Sequence, residues 1–274
     1  MYTSDGFGWM KDKPWVDVQK HKISEYCKIH NIELRFVTSD NKYYKYLLSM
    51  FGPTAKLHDK DSLRGDLGIL LTLCSIAAIF DFADRTNCND KMFYWMHLDM
   101  VIEDNTKSIF DYLSVSDDSI YMTHCWNRQD FDNSVKIEEG SWMMRKSNWL
   151  IDYCNHLGID INRQDDHFIS CITAFIACNL RAAKQFIKII QESGIFNKPY
   201  EGIILDETIF EVIQILAWRN NLKWCIRNQT DILKPEFNTF PVVNVGQPIQ
   251  GDIIFKHFMG TNKNRIIDYY ASKR

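Results

Sequence analysis

The chain is poor in the residues that interrupt a fold, with only six prolines and twelve glycines in 274 residues. No internal repeat and no low-complexity tract is present, which excludes a repeat architecture. Its eight cysteines (Cys27, Cys74, Cys88, Cys125, Cys154, Cys171, Cys178 and Cys225) include no CxxC pair. Most lie among apolar neighbours, so they read as buried free thiols in a reducing compartment. A long apolar run is missing too. The most apolar stretch, LGILLTLCSIAAIFDF from Leu67, is too short and too closely flanked by acids to span a bilayer. The first residues, MYTSDGFGWMKDKPW, have the pattern of neither a signal peptide nor an anchor. A soluble, cytoplasmic protein with no membrane span is therefore expected. The net charge of −3 gives no overall drive toward nucleic acid, so single basic residues must carry any phosphate binding.

What is present is ordinary globular material, 46% hydrophobic and 24% charged, in a chain long enough for a sizeable core. WVDVQKHKISEYCKIHN places Val16, Ile23, Tyr26, Cys27 and Ile29 at near-helical spacing, and IELRFVTSD then alternates like a strand. DSLRGDLGILLTLCSIAAIF predicts a helix capped by Asp61 or Ser62 with a strongly buried face. KMFYWMHL predicts a strand, NTKSIFDYL a short helix and SIYMTHCW another strand. GSWMMR reads as a further strand, SNWLIDYCNHLG as a helix stopped by Gly158, and 165–193 as helical with a break near Asn179. DETIFEVIQILAW reads as a helix opened by Asp206, and LKWCIR and DIIFKHF as late strands. Alternating helices and strands favour an α/β fold, a mostly parallel sheet flanked by helices that binds ligands beyond the carboxyl ends of its strands.

The segment KMFYWMHLDMVIED is a buried run that stops at His97 and Asp99, where such a strand emerges. By spacing alone the pair reads either as a hydrogen-bonded strand end or as an oxygen/nitrogen site for Mn²⁺ or Mg²⁺. Far along the chain, GDIIFKHFMGTNKNR closes another strand at His257. Gly260 there would admit a phosphate close to the backbone, and Lys263 would supply compensating charge; alone, Lys263 reads equally as a solvated loop residue.

Together these segments resemble a nucleotide-sugar glycosyltransferase of the GT-A fold. The resemblance is closest to the family of xyloglucan xylosyltransferases, galactomannan galactosyltransferases and α-1,6-mannosyltransferases. HKISEYCKIHNIELRF, SLRGDL, YWMHLDMVIED, EEGSWMMRKSNWLIDYC, LDETIFEVIQIL and HFMG match that family's segments in order over most of the chain. The resemblance implies a single GT-A-type domain over 1–274, with a nucleotide-binding half over 1–125 and an acceptor-binding half over 126–274. It implies transfer of a sugar, xylose or galactose favoured, from a UDP-sugar donor to a glycan acceptor. The metal, Mn²⁺ or Mg²⁺, would be held by Asp99 and His257 with His97.

Two positions depart from the family pattern. His97 stands where the family has the first Asp of its pair, and Glu207 where it has Gln. A carboxylate can act as base or nucleophile where an amide cannot, so Glu207 and Asp206 are the candidate catalytic residues, with retention or inversion left open. Thr3, Ser4 and Asp5, expected to follow the first strand, would hold the uridine, or form a frayed terminus. Arg64 would reach the diphosphate, or lie on the surface. Gly140 and Ser141 would line the substrate pocket, or form a bulge at a strand start. Asp206 also reads as a helix N-cap. Trp126, Trp142 and Trp149 read as core packing or as sugar-stacking platforms. Two other classes fit the same residues. One is an inactive glycan-binding module, for which His97 is the argument; the other is a metal-dependent hydrolase with a His/Asp/His site.

Overall fold

A computed structural model describes residues 1–7, 10–51, 67–111, 118–126, 142–161, 170–195, 197, 200, 202, 206–219, 226–227, 242–244, 255–258 and 260–273. β1 (Tyr2–Ser4) is followed by α1 (Pro14–Ile29), β2 (Arg35–Val37) and α2 (Lys42–Phe51), and α3 (Leu67–Arg85) leads to β3 (Met92–Met96) and β4 (Met100–Ile102). Next come β5 (Ile120–Trp126), α4 (Trp142–Leu157), β6 (Ser170–Asn179), α5 (Leu180–Ser193) and α6 (Asp206–Arg219). β7 (Ile226–Arg227), β8 (Val242–Asn244), β9 (Phe255–His257), a 3-10 turn over Gly260–Arg265 and α7 (Ile266–Ser272) follow.

Six strands form one sheet in the order β2-β1-β3-β6-β5-β7. β1 runs parallel to β2 and β3, and β5 parallel to β7, while β6 is antiparallel to both of its neighbours. Five strands therefore point one way, and the mostly parallel, helix-flanked α/β sheet expected from the sequence is present. A smaller sheet, β4-β9-β8, stands beside it.

Side chains alternate across the main sheet and build two cores. Tyr2, Phe93, Trp95, Ile176 and Cys178 face α3, α5 and α6. Tyr94, Met96, Phe175 and Ala177 face the other way, onto Ile23 and Tyr26 of α1, Phe255 of β9 and Ile266 of α7. α1 begins with Pro14, whose missing N–H costs nothing in a first turn, and buries Trp15, Val16, Ile23, Tyr26 and Cys27. α6 is buried almost all round, from Thr208 to Ile215.

Two sequence expectations are corrected. Residues 170–179, read as helix, form the central strand β6, between β3 and β5. Thr173 to Cys178 are buried on both sides of the sheet, so the segment shows no apolar–polar alternation to mark a strand. The expected break at Asn179 is there: its side chain accepts a hydrogen bond from Ala182 N at 2.8 Å and caps α5. Trp142 to Arg145, read as the body of a strand, are the first turn of α4. Gly158 stops α4 as expected, in a left-handed conformation (φ 76°) with Ile159 N donating to Cys154 O at 2.8 Å. Trp149 is core.

Cys27, Cys74, Cys154 and Cys178 are free and buried, and Cys88 is free and exposed. Burial pushes the Cys27 thiol up to about 11 and, with Glu211 adding, that of Cys154 up to about 12, so neither is a ready nucleophile. Among the described residues no helix is long and apolar enough to cross a membrane.

Candidate active site

β3 is a fully apolar strand whose last four residues are buried, and its ladder reaches one residue further, His97 N donating to Ala174 O at 2.8 Å. The chain then turns, with Met100 N donating to His97 O at 3.1 Å, and enters β4. Asp99 sits in this turn, only 4% exposed. β4 pairs antiparallel with β9, which sets Met100 opposite His257. Phe258 N, one residue beyond, donates to Asp99 O at 3.0 Å. Two segments far apart in the sequence, HLD and HFMG, thus meet through backbone pairing at the carboxyl end of β3.

The 3-10 turn after β9 carries Lys263 back over this corner, its Nζ 2.7 Å from Asp99 Oδ2. Both partners are largely shielded, the lysine side chain 17% and the aspartate side chain 5% exposed. A buried carboxylate needs a compensating charge, and the ammonium supplies it here. On the other side His97 Nδ1 stands 3.8 Å from Asp99 Oδ1, and His97 Nε2 lies 3.4 Å from Thr173 Oγ1 on β6. The Trp95 and His97 rings meet edge to face, with 6.0 Å between centroids.

β1 ends at the same edge of the sheet. Thr3 and Ser4 lie within β1 rather than after it. Ser4 Oγ accepts from Gly6 N at 3.1 Å and Asp5 Oδ1 from Phe7 N at 3.1 Å, which folds the chain into a tight turn. Gly6 has φ 85°, and a Cβ there would meet Val16 Cγ1 at 2.4 Å and Leu98 Cδ2 at 3.3 Å. The turn after β1 therefore packs directly against the centre of the HLD turn. Thr3 Oγ1 is buried with no hydrogen-bond partner among the described residues, an acceptor and donor held within β1.

His97, Asp99 and Lys263 are thus joined by side-chain contacts, and His257 is brought to them by strand register. Gly260 opens the turn that carries Lys263. Asp206 and Glu207 open α6, which packs in the other core layer from β9; Glu207 is half-buried. The side chains of His257 and Asp206, and the whole of Arg64, Gly140 and Ser141, lie outside the described residues, as do the side chains of Trp126 and Trp142.

An imidazole nitrogen and a carboxylate oxygen are donor types that a small divalent cation takes. Metal–ligand bonds of roughly 2.0–2.2 Å let two groups bracket one ion across a gap of this size, and His97 Nδ1 and Asp99 Oδ1 are 3.8 Å apart. Among the described residues no three His, Cys, Asp or Glu side chains cluster, so a third ligand from the chain must come from elsewhere, as from His257.

Sequence reasoning missed Gln19. It is fully buried on α1, and its Nε2 donates to Leu98 O at 2.9 Å and to Met100 O at 2.7 Å, on either side of Asp99. The available signal was a lone amide on the apolar stripe that runs through Val16 and Ile23.

No protein-family model matches the chain, and no curated protein matches it. Solved structures with a similar overall course include a glycosyltransferase involved in the glycosylation of the major capsid of PBCV-1, at 14% identity and a TM-score of 0.44, covering 99% of this chain and 98% of that one. The galactosyltransferase LgtC, solved with donor and acceptor sugar analogues, is similar at 10% identity and a TM-score of 0.47, covering 99% of this chain and 94% of its own. Mouse xyloside xylosyltransferase 1 is similar at 7% identity and a TM-score of 0.39, covering 88% of this chain and 81% of its own.

Proposed function

We propose that the chain is a GT-A-type glycosyltransferase that transfers a sugar, xylose or galactose favoured, from a UDP-sugar to a glycan hydroxyl. The observation that carries this reading is the meeting of HLD and HFMG at the carboxyl end of β3, with Lys263 Nζ 2.7 Å from Asp99. Asp99, His97 and His257 are the residues that would hold Mn²⁺ or Mg²⁺, which when bound neutralises charge on a departing diphosphate.

The chain's own residues have the following roles. Thr3 and Ser4 hold the uridine where β1 ends, and Arg64 and Gly260 meet the diphosphate. Lys263 exchanges Asp99 for the diphosphate as the donor enters and stabilises the charge that develops on UDP. Gly140 and Ser141 line the sugar pocket. Glu207 and Asp206 face the anomeric carbon, where a carboxylate either deprotonates the acceptor hydroxyl or stabilises the oxocarbenium-like centre. A single domain, with its nucleotide half over 1–125 and its acceptor half over 126–274, accommodates both substrates.

Calorimetric titration of UDP with and without Mn²⁺, on the parent protein and on Asp99→Ala, tests this. Mn²⁺-dependent binding that disappears in Asp99→Ala is expected; no UDP binding under either condition overturns the reading. Glu207→Gln is expected to bind UDP as the parent does while turnover of a UDP-sugar falls by about a hundredfold or more. Full turnover in that variant would remove Glu207 from the mechanism.

A further inference from the structure

We propose that Gln19, locked in place by Tyr270, is a positioning residue for Asp99, and that α1 and α7 thereby set the affinity of the site for its cation. The inference rests on the reading of Asp99 as a metal ligand.

Two peptide planes flank the Cα of Asp99, and together they determine the direction of its Cβ. Both planes are tied. Leu98 O, in the first, accepts from Gln19 Nε2 at 2.9 Å, and Asp99 O, in the second, accepts from Phe258 N at 3.0 Å. Met100 O, one residue on, accepts the second hydrogen of the same Gln19 amide at 2.7 Å. Three successive carbonyls are thus held from two directions, two by one side chain of α1 and one by the residue following β9.

The orientation of the Gln19 amide is dictated by its surroundings. Carbonyl oxygens only accept, so the NH₂ must face Leu98 and Met100, and Oε1 must face a donor. That donor is Tyr270 on α7, whose hydroxyl lies 2.5 Å from Oε1. The tyrosine oxygen in turn accepts from Ile102 N at 3.3 Å. α7 is itself clasped to the residue that follows β4, with Tyr269 donating to Glu103 and Lys273 Nζ donating to Glu103 O at 3.0 Å. None of these groups reaches the carboxylate of Asp99, so Gln19 and Tyr270 act through its backbone. Residues that orient a metal ligand in this way typically change affinity by about 10–100-fold when removed.

Two variants keep the shape and remove the bonds. Gln19→Glu keeps the volume but turns an acceptor toward two carbonyls. Tyr270→Phe keeps the ring and removes the hydroxyl that holds Oε1. Free Mn²⁺ is titrated by electron paramagnetic resonance with and without UDP, with thermal unfolding followed on the same samples. The expected result is a Kd for Mn²⁺ raised about tenfold in both variants, with cooperative unfolding retained and Asp99→Ala showing no binding. Should Gln19→Glu fail to fold, Tyr270→Phe carries the test alone. A lowered unfolding midpoint with an unchanged Kd means that Gln19 and Tyr270 merely stabilise the fold, and overturns the proposal while leaving the metal site standing. Absence of Mn²⁺ binding in the parent both with and without UDP, or its survival in Asp99→Ala, overturns the reading of Asp99 as a ligand and this proposal with it.

Discussion

Asp81 and Asp99 are both aspartates only 4% exposed, and their surroundings differ in kind. Asp81 lies in the last turns of α3, and both of its oxygens accept from Arg85 Nε, at 3.0 and 2.9 Å, from one helical turn on. Tyr2 Oη adds a third bond at 3.1 Å. This is a closed arrangement, made by a planar guanidinium and a phenol that is itself buried. Burial, with Asp81 beside it, pushes the Tyr2 hydroxyl well above its ordinary value, so it stays a donor. Asp99 has instead an ammonium on a long flexible stem, delivered by a 3-10 turn, and an imidazole at 3.8 Å. An ammonium is a compact point charge that a divalent ion can replace, whereas a bonded guanidinium with a phenol leaves little room for exchange. Burial of a carboxylate therefore does not by itself mark a site, and these two acids differ in how readily the partners described here exchange.

Neutralising each acid separates the two most visibly. Asp99→Asn is expected to abolish Mn²⁺-dependent UDP binding in calorimetry. Asp81→Asn is expected to leave that binding unchanged and to lower stability by about 1–3 kcal/mol in urea unfolding. The lower end is favoured because the Arg85 side chain is 53% exposed and can turn to water. Equal effects of the two substitutions on binding would mean that the two acids are not distinguished as argued.

Removing the cationic partners sharpens the difference. Lys263→Ala leaves Asp99 buried with its main counter-charge gone, a loss of the order of 3 kcal/mol for a broken buried pair. Added Mn²⁺ is expected to raise the thermal midpoint of this variant more than that of the parent, because a cation then fills the vacated place. Arg85→Ala also destabilises, but Mn²⁺ is expected to give no comparable recovery. Equal recovery in both variants would erase the distinction.

Much of the fold is legible in the sequence, for physical reasons. β3 is readable because an apolar run stops abruptly at His97 and Asp99, and α1 because its buried residues recur at helical spacing. β6 is not, since a central strand buried on both faces has no alternation. The start of α4 misled because Trp142, Met143 and Met144 suit a strand as well as a helix. The corner itself was legible only as two fragments. That they meet depends on β4 pairing with β9, and that Lys263 lies on Asp99 depends on the turn that follows; neither is written in local spacing. Gln19 escaped because its partners are backbone carbonyls, which have no identity in a sequence.

The smallest expected effect concerns the clasp under the site. Burial pushes the Glu103 carboxyl upward, but hydrogen bonds from Lys273 and Tyr269 outweigh it and hold the group below the ordinary glutamate range. Lys273 Nζ lies 2.8 Å from its Oε1, with both side chains partly shielded. A carboxyl with a lowered folded-state pKa adds stability that is fully present above the ordinary glutamate range and is lost as pH falls through the lowered value. Acidification through that window should therefore loosen α7, by about 0.5–1 kcal/mol for one partly exposed pair. Amide hydrogen exchange of Tyr269 and Tyr270, followed on lowering the pH, is expected to quicken relative to the core of β3 after correction for intrinsic rates. In Lys273→Ala the difference between mild and acidic pH should shrink. Should exchange in α7 track that of β3 at every pH, the clasp is no separate unit, and Tyr270 would then hold Gln19 only as firmly as the fold itself holds.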